Sequence, residues 1–180
     1  KEKFKKFKNF SICNTSLEDF KCDDNSIDIL YSATAFHWIP EDIGYPKALM
    51  LLKNNGTLAL FWNKPFVARK DDLLHQKIQS IYQKYRPSNT EMIENDTARY
   101  KKIAETIQSY DFRNLEVKLY HQTRMFCSSD YISLLNTYSD HRSMPASTKQ
   151  LFESEIKSAI MENGNILNIY DTIDLYLARR

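Results

Sequence analysis

The loop Ala35, Phe36, His37 and Trp38 sets an imidazole between two aromatic residues, directly after a run of strand-forming residues. Imidazoles change charge near neutral pH, so His37 is the candidate for taking a proton from a bound molecule. The plainer reading is a hydrogen-bonded structural histidine. Trp38 reads either as a substrate-facing aromatic or as core. Asn63 follows a second apolar run and is expected to emerge at a strand end, near a ligand. A further cluster, Tyr138, Asp140, His141 and Arg142, follows an amphipathic helix. Tyr138 and Arg142 are its candidates for holding a bound molecule, Arg142 being suited to a carboxylate, and the alternative is a solvated helix end with local ion pairs.

The elements that must position these groups run from Ser26 to Asn63. Ile27, Ile29 and Leu30, then Leu58, Ala59, Leu60, Phe61 and Trp62, form near-continuous apolar runs, as expected of strands covered on both faces. Between them a helix is expected from about Pro46 to Lys53, with proline as its first residue and Asn54, Asn55 and Gly56 as its stop. That order is a parallel βαβ unit, and AFHW lies at the carboxyl end of its first strand, where open α/β sheets bind ligands.

On either side the pattern is plainer. Residues 1–8 read as the end of a helix, and Phe10 to Asn14 as a short strand. Asp71 and Asp72 open a helix carrying Leu74, Ile78, Ile81, Tyr82 and Tyr85 and ended by Pro87, and another follows Asp96 with Tyr100, Ile103, Ala104 and Ile107 inward. Leu115, Val117 and Leu119 alternate as a strand. Ser129 or Asp130 is expected to cap a helix through Tyr138. Ser147 with Gln150 resembles a capping box for a helix closed by Asn163 and Gly164. Leu167, Ile169, Ile173, Leu175 and Leu177 mark the last strand, interrupted by Asp171.

Several of these stretches together resemble the class I S-adenosylmethionine-dependent methyltransferases of the trans-aconitate-methyltransferase-like, type 11 group. The matching residues are Ser16 to Phe20, the strand Asp28 to Ser32, the loop Ala33 to Trp38, and Leu52 to Gly56 at a helix end. More loosely, Thr137 to Arg142 and Ile169 to Arg180 also match. The resemblance implies a partial Rossmann-like α/β sheet with helices on both faces and an antiparallel C-terminal strand pair. It implies one domain over 1–180, with a helical insertion at 64–114 covering the active site. It also implies S-adenosylmethionine as cofactor, with Ser16 at the adenine amine, the Leu17 N–H facing the adenine ring, and Ala33 and Phe36 at the methionine portion. His37 would be catalytic, and Trp38, Asn63, Tyr138 and Arg142 would face the substrate. The departure is the family's glycine-rich cofactor loop: the 3 glycines stand alone at Gly44, Gly56 and Gly164.

The expected activity is therefore methyl transfer to a small-molecule acceptor by a chain read as N-terminally truncated. The alternative is a non-catalytic remnant or an oligomerisation module with the same fold. Deleting the family's first strands should leave Phe10 to Asn14 without a neighbour and bare one edge of Asp28 to Ser32, inviting homo-oligomers through that edge. Composition narrows the partners. Lys+Arg 25 against Asp+Glu 23 gives +2, which argues against a nucleic-acid partner, and no apolar run approaches the roughly 20 residues of a membrane span. Cys13, Cys22 and Cys127 are odd in number and unpaired by spacing. They suggest no metal site, buried or partly buried thiols, and a cytoplasmic setting.

Overall fold

The computed structural model describes residues 6–180. Of the helix expected over 1–8, residues 1–5 lie outside the described residues, and the rest is a turn. Four strands form one sheet: β1 (Ile27–Ala33), β2 (Leu52–Phe66), β3 (Arg113–Phe126) and β4 (Leu167–Arg179), in the order β1-β2-β4-β3. β1 and β2 are parallel, with Ala33 opposite Phe61. β4 runs against β2, since Arg180 N–H donates to Gly56 C=O at 3.1 Å while Asn63 Nδ2 donates to Asp171 Oδ1 at 3.2 Å. The last strand thus lies between its two predecessors. The helices are α1 (Glu41–Leu51), α2 (Leu73–Tyr85), α3 (Thr97–Ser109), α4 (Ser128–Leu135), α5 (Ser139–Arg142) and α6 (Ala146–Glu162).

The chain divides into two compact units. The first holds residues 1–62, 101–117 and 175–180, the second residues 63–100 and 118–174. Of the stretch 64–114, residues 64–100 thus belong to the second and 101–114 to the first. The core of the first unit gathers Phe36, Tyr45, Ala48, Leu52, Leu58, Leu60, Trp62, Ile107, Phe112 and Tyr176. In the second, α2 and α4 pack on α6 around Ile78, Leu135, Phe152, Ile156, Ile160 and Leu167.

Several expectations are corrected. Phe10 to Asn14 is not a strand. β1 is an edge strand, with Ile29 62% and Tyr31 70% exposed, so its apolar run is not covered on both faces. α1 begins at Glu41, five residues before Pro46: Pro40 is the residue that initiates it, its carbonyl accepting from Ile43 and Gly44 N–H, and Pro46 lies inside. An interior proline costs about 3 kcal/mol, here offset by burial of Tyr45, Ala48 and Leu51. Asn54 to Gly56 belong to β2, which opens at Leu52 and shifts register before Thr57. Asn63 lies within that strand, which continues to Phe66. α4 is preceded by Cys127 and α6 by Pro145, neither with a side-chain cap, so the Ser129/Asp130 cap and the Ser147 capping box do not form. Cys13 and Cys22 are exposed, and only Cys127 is half-buried. The Asp72 cap on His75 N–H (3.1 Å) and the Asn163 and Gly164 stop agree with expectation.

Two polar groups explain how β4 stays buried in the second unit. Asp171, 1% exposed, does not interrupt the strand, because Arg124 grips both its oxygens at 2.5 and 2.8 Å. His75, fully buried, accepts from Arg69 N–H on Nδ1 (3.2 Å), which leaves its proton on Nε2 for Asn168 C=O at 2.9 Å. Buried charges and imidazoles persist only when so satisfied.

Candidate functional site

In the first unit the turn leaving β1 carries the first group of candidate residues. Thr34 has φ +50°, an uncommon conformation for a β-branched residue, and its N–H donates to Phe61 C=O at 2.8 Å, pinning the turn to β2. Ala33 and Ala35 flank it, both exposed and both too small to cover the main chain. A short 3-10 helix, Phe36–Trp38, follows. Phe36 is 4% exposed and packs on Tyr45 with centroids 4.9 Å apart. Gly44 makes room for it, since a Cβ there would lie 3.1 Å from the Phe36 ring. Burial, with help from Glu41, pushes the Tyr45 hydroxyl up to about 12, so it stays neutral.

His37 is exposed but fixed. Its Nδ1 lies 3.0 Å from Trp62 Nε1, and an indole N–H only donates, so the neutral imidazole keeps its proton on Nε2. The lone pair needed for proton removal is thereby occupied, and the geometry presents His37 as a hydrogen-bond donor. Trp38 is 80% exposed and not core. Ser16 spends its hydroxyl locally, donating to Asp19 Oδ2 (3.0 Å) and accepting from Asp19 N–H (3.2 Å). Leu17 is half-buried against the unit's core.

For the cofactor that the fold implies, these residues fit one side only. The open main chain of Ala33 to Ala35, with the exposed Ser16 and the Leu17 N–H, can meet a ligand. The Phe36 side chain points into the core and can contribute little beyond its backbone.

The second unit contains the other candidates and a cavity of about 850 Å3. Tyr138 lines it, whereas Arg142 is exposed and does not, and Asn63 is held by Asp171. Two guanidiniums do line the cavity, Arg69 and Arg86, and Arg86, just after α2, is the one beside Asp140 and His141. Arg86 Nη2 donates to Asp140 Oδ2 at 2.7 Å, and Nη1 lies 3.0 Å from His141 Nε2. Since guanidinium cannot accept, His141 Nε2 must, and its proton sits on Nδ1. Tyr131 and Tyr82 share a hydrogen bond, and the Tyr82 hydroxyl lies 3.3 Å from the same Nε2. Burial lowers the His141 pKa, and Arg86 adds to this against the pull of Asp140. Burial alone would raise the Asp140 carboxyl, but the hydrogen bond and charge of Arg86 outweigh it and hold it low. Burial pushes Tyr82 up to about 12 and raises Tyr131 and Tyr138 as well. The cluster thus pairs one neutral imidazole with three neutral phenols and a balanced ion pair.

The sequence reading placed His141 beside Asp140 but missed Arg86, Tyr82 and Tyr131. Tyr82 was legible only as a helical apolar position. Among the described residues no group of His, Cys, Asp and Glu could hold a metal ion, and no helix is long and apolar enough to cross a membrane.

No protein-family profile matches the chain. It is 26% identical over 161 residues to a curated Schizosaccharomyces pombe protein described as an uncharacterized methyltransferase, covering 87% of this chain and 58% of the relative. A second S. pombe protein, described as uncharacterized and methyltransferase-like, is 25% identical over 154 residues, covering 84% and 56%. The chain thus spans a little more than half the length of these relatives. Among solved structures, a candidate type II methyltransferase from Anaeromyxobacter dehalogenans superposes with a TM-score of 0.54 at 14% identity, over 92% of this chain and 69% of that one. A parallel βαβ pair beside a last strand inserted between its predecessors, together with these likenesses, shows that the chain has the fold of the class I S-adenosylmethionine-dependent methyltransferases.

Proposed function

We propose that the protein takes part in methyl transfer from S-adenosylmethionine to a small-molecule acceptor, with this chain supplying the acceptor-side half of the enzyme. The observation that carries the reading is the strained turn at Thr34. A β-branched residue at φ +50°, between two exposed alanines at the carboxyl end of β1, opens main chain to a ligand where open α/β sheets bind one. The relatives' description as methyltransferases supports the reaction class.

The cofactor supplies a sulfonium-bound methyl, which an acceptor oxygen, nitrogen or carbon takes as the carbon–sulfur bond breaks onto sulfur, leaving S-adenosylhomocysteine and a proton. The protein's part is to position the two reactants in line. Ala33 and the Leu17 N–H hold the cofactor, with Ser16 at the adenine edge and Phe36 contributing its backbone. His37, oriented by Trp62, donates from Nε2 to the acceptor, beside the exposed Trp38. Tyr138 contacts the acceptor, and Asn63 orients Asp171. The setting is cytoplasmic, and the reaction takes no nucleic acid.

A second reading, an assembly module, is favoured by one feature: β1 is an edge strand that pairs only with β2 among the described residues, with Ile29 and Tyr31 exposed. Formation of S-adenosylhomocysteine with a panel of hydroxylated and amino small molecules tests the first reading, using protein of the relatives' full length. Product with a small acceptor, lost in Ser16→Arg, is expected. Product only with protein or nucleic-acid acceptors, or none alongside self-association through β1, would favour the alternatives.

A further inference from the structure

The cavity of about 850 Å3 in the second unit is large enough for a drug-sized ligand. Val67, Leu135, Ile169 and the Tyr131 ring give it apolar walls. Its cations are all matched. Arg69 pairs with Glu94, Lys70 with Glu91 at 3.2 Å, and Arg86 with Asp140 at 2.7 Å. Of the three α2 amides that face it, Gln76 Nε2 donates to Lys70 C=O at 2.5 Å and Gln79 Nε2 to Val67 C=O at 2.8 Å, while the exposed Gln83 accepts from Ser88 N–H at 3.5 Å through Oε1. Tyr138 differs from all of these. It lines the cavity and is half-buried, and while its backbone bonds to Leu135 and Arg142, its hydroxyl makes no hydrogen bond among the described residues.

We propose that this chamber takes an uncharged, largely apolar molecule carrying one hydroxyl or carbonyl group, held at the Tyr138 hydroxyl, and that this is the class of the methyl acceptor. The acceptor assignment rests on the methyl-transfer reading, whereas occupancy of the chamber does not. A carboxylate brought in here would lose its hydration and find every cation already neutralised, a net cost. An apolar body gains the burial term in full. A polycarboxylate of the trans-aconitate type, which the sequence resemblance would suggest, is therefore the wrong chemistry for these walls. Asp140 is the residue that sets this, because its carboxylate cancels Arg86.

Fluorescence titration of the chain at pH 7 with 2-naphthol and with its anionic counterpart 2-naphthoate tests the proposal. 2-Naphthol is expected to bind about tenfold or more tightly than 2-naphthoate, about tenfold being the effect of one hydrogen bond to a charge. Tyr138→Phe should weaken 2-naphthol about 5-fold, the value of one neutral hydrogen bond. Ser80→Trp, at an exposed helix position on the chamber's wall, should abolish binding by filling it. Asp140→Asn keeps an oxygen for the His141 N–H but frees Arg86, and should tighten 2-naphthoate about tenfold while leaving 2-naphthol nearly unchanged. Equal or tighter wild-type binding of 2-naphthoate, binding of neither probe, or 2-naphthol binding that survives both Ser80→Trp and Tyr138→Phe would overturn it. None of these outcomes touches the turn at Thr34, so failure here is distinct from failure of the methyl-transfer reading.

Discussion

Replacing Arg124 by methionine should destabilise the protein far more than a half-exposed surface arginine would. Asp171 is 1% exposed, and Arg124 supplies two of its hydrogen bonds, at 2.5 and 2.8 Å, with Asn63 supplying a third at 3.2 Å. Removing one partner of a buried ion pair costs about 3–5 kcal/mol, because the other charge stays buried. The Arg124 side chain is 31% exposed, so its charge is partly screened and the lower end, about 3 kcal/mol, applies. For a chain of this size each kcal/mol moves the melting temperature by about 2–4 °C, giving a drop of about 6–12 °C by differential scanning calorimetry. Adding Asp171→Asn removes the orphaned charge and keeps an acceptor for Asn63, so the double variant should recover about half the loss. A drop below about 2 °C in Arg124→Met, or a double variant as unstable as the two single losses summed, would refute the reasoning.

Gly56→Ala should cost about 1–3 kcal/mol in urea unfolding, because the new Cβ would sit 2.8 Å from the Lys53 carbonyl oxygen and 3.2 Å from that of Ile27, both backbone. Gly164→Ala meets open space and should cost only about 1 kcal/mol, from its φ of +78°. The folded state lowers the His141 pKa below its ordinary 6.5, so the unfolded chain binds that proton more readily. The stability this contributes is whole above pH 6.5 and is lost as pH falls through the folded value; urea midpoints should decline over that window, and the decline should flatten in His141→Gln. His37→Ala in the active protein should lower turnover about 100-fold, the usual loss of one positioned donor, with S-adenosylhomocysteine affinity unchanged. Turnover within a factor of two would remove His37 from the mechanism.

The βαβ unit was legible because its two strands are apolar runs around a helical stretch, and that pattern survives in the structure. The helix start was misread because two prolines competed: Pro46 looked like a first residue, while Pro40 is the one whose carbonyl begins the hydrogen-bond ladder. The Asp72 cap was legible because a side-chain oxygen three residues before an N–H is a local device. The entries to α4 and α6 use no such device, so the serines nearby misled. The exposure of β1 was not legible, since Ile29 and Tyr31 have the residue types of a covered strand and only the sheet order shows that, among the described residues, no strand pairs with β1 on the side away from β2. The same holds at the candidate site. His37 could be picked out from its neighbours, but the Trp62 indole that fixes its tautomer is 25 residues away. Arg86 and His141 are 55 apart in sequence, and nothing local to either pointed to the other.

The central claim is that the β1–turn–α1–β2 unit holds one side of an S-adenosyl cofactor. Titrating S-adenosylhomocysteine into isotopically labelled protein while following backbone amide resonances tests it directly. Shifts confined to Ser16 to Phe20 and Ala33 to Trp38 are expected, with weak, fast-exchange binding by this chain and the α6 amides unmoved. Shifts restricted to the second unit, or no shift anywhere up to the ligand's solubility, would contradict it.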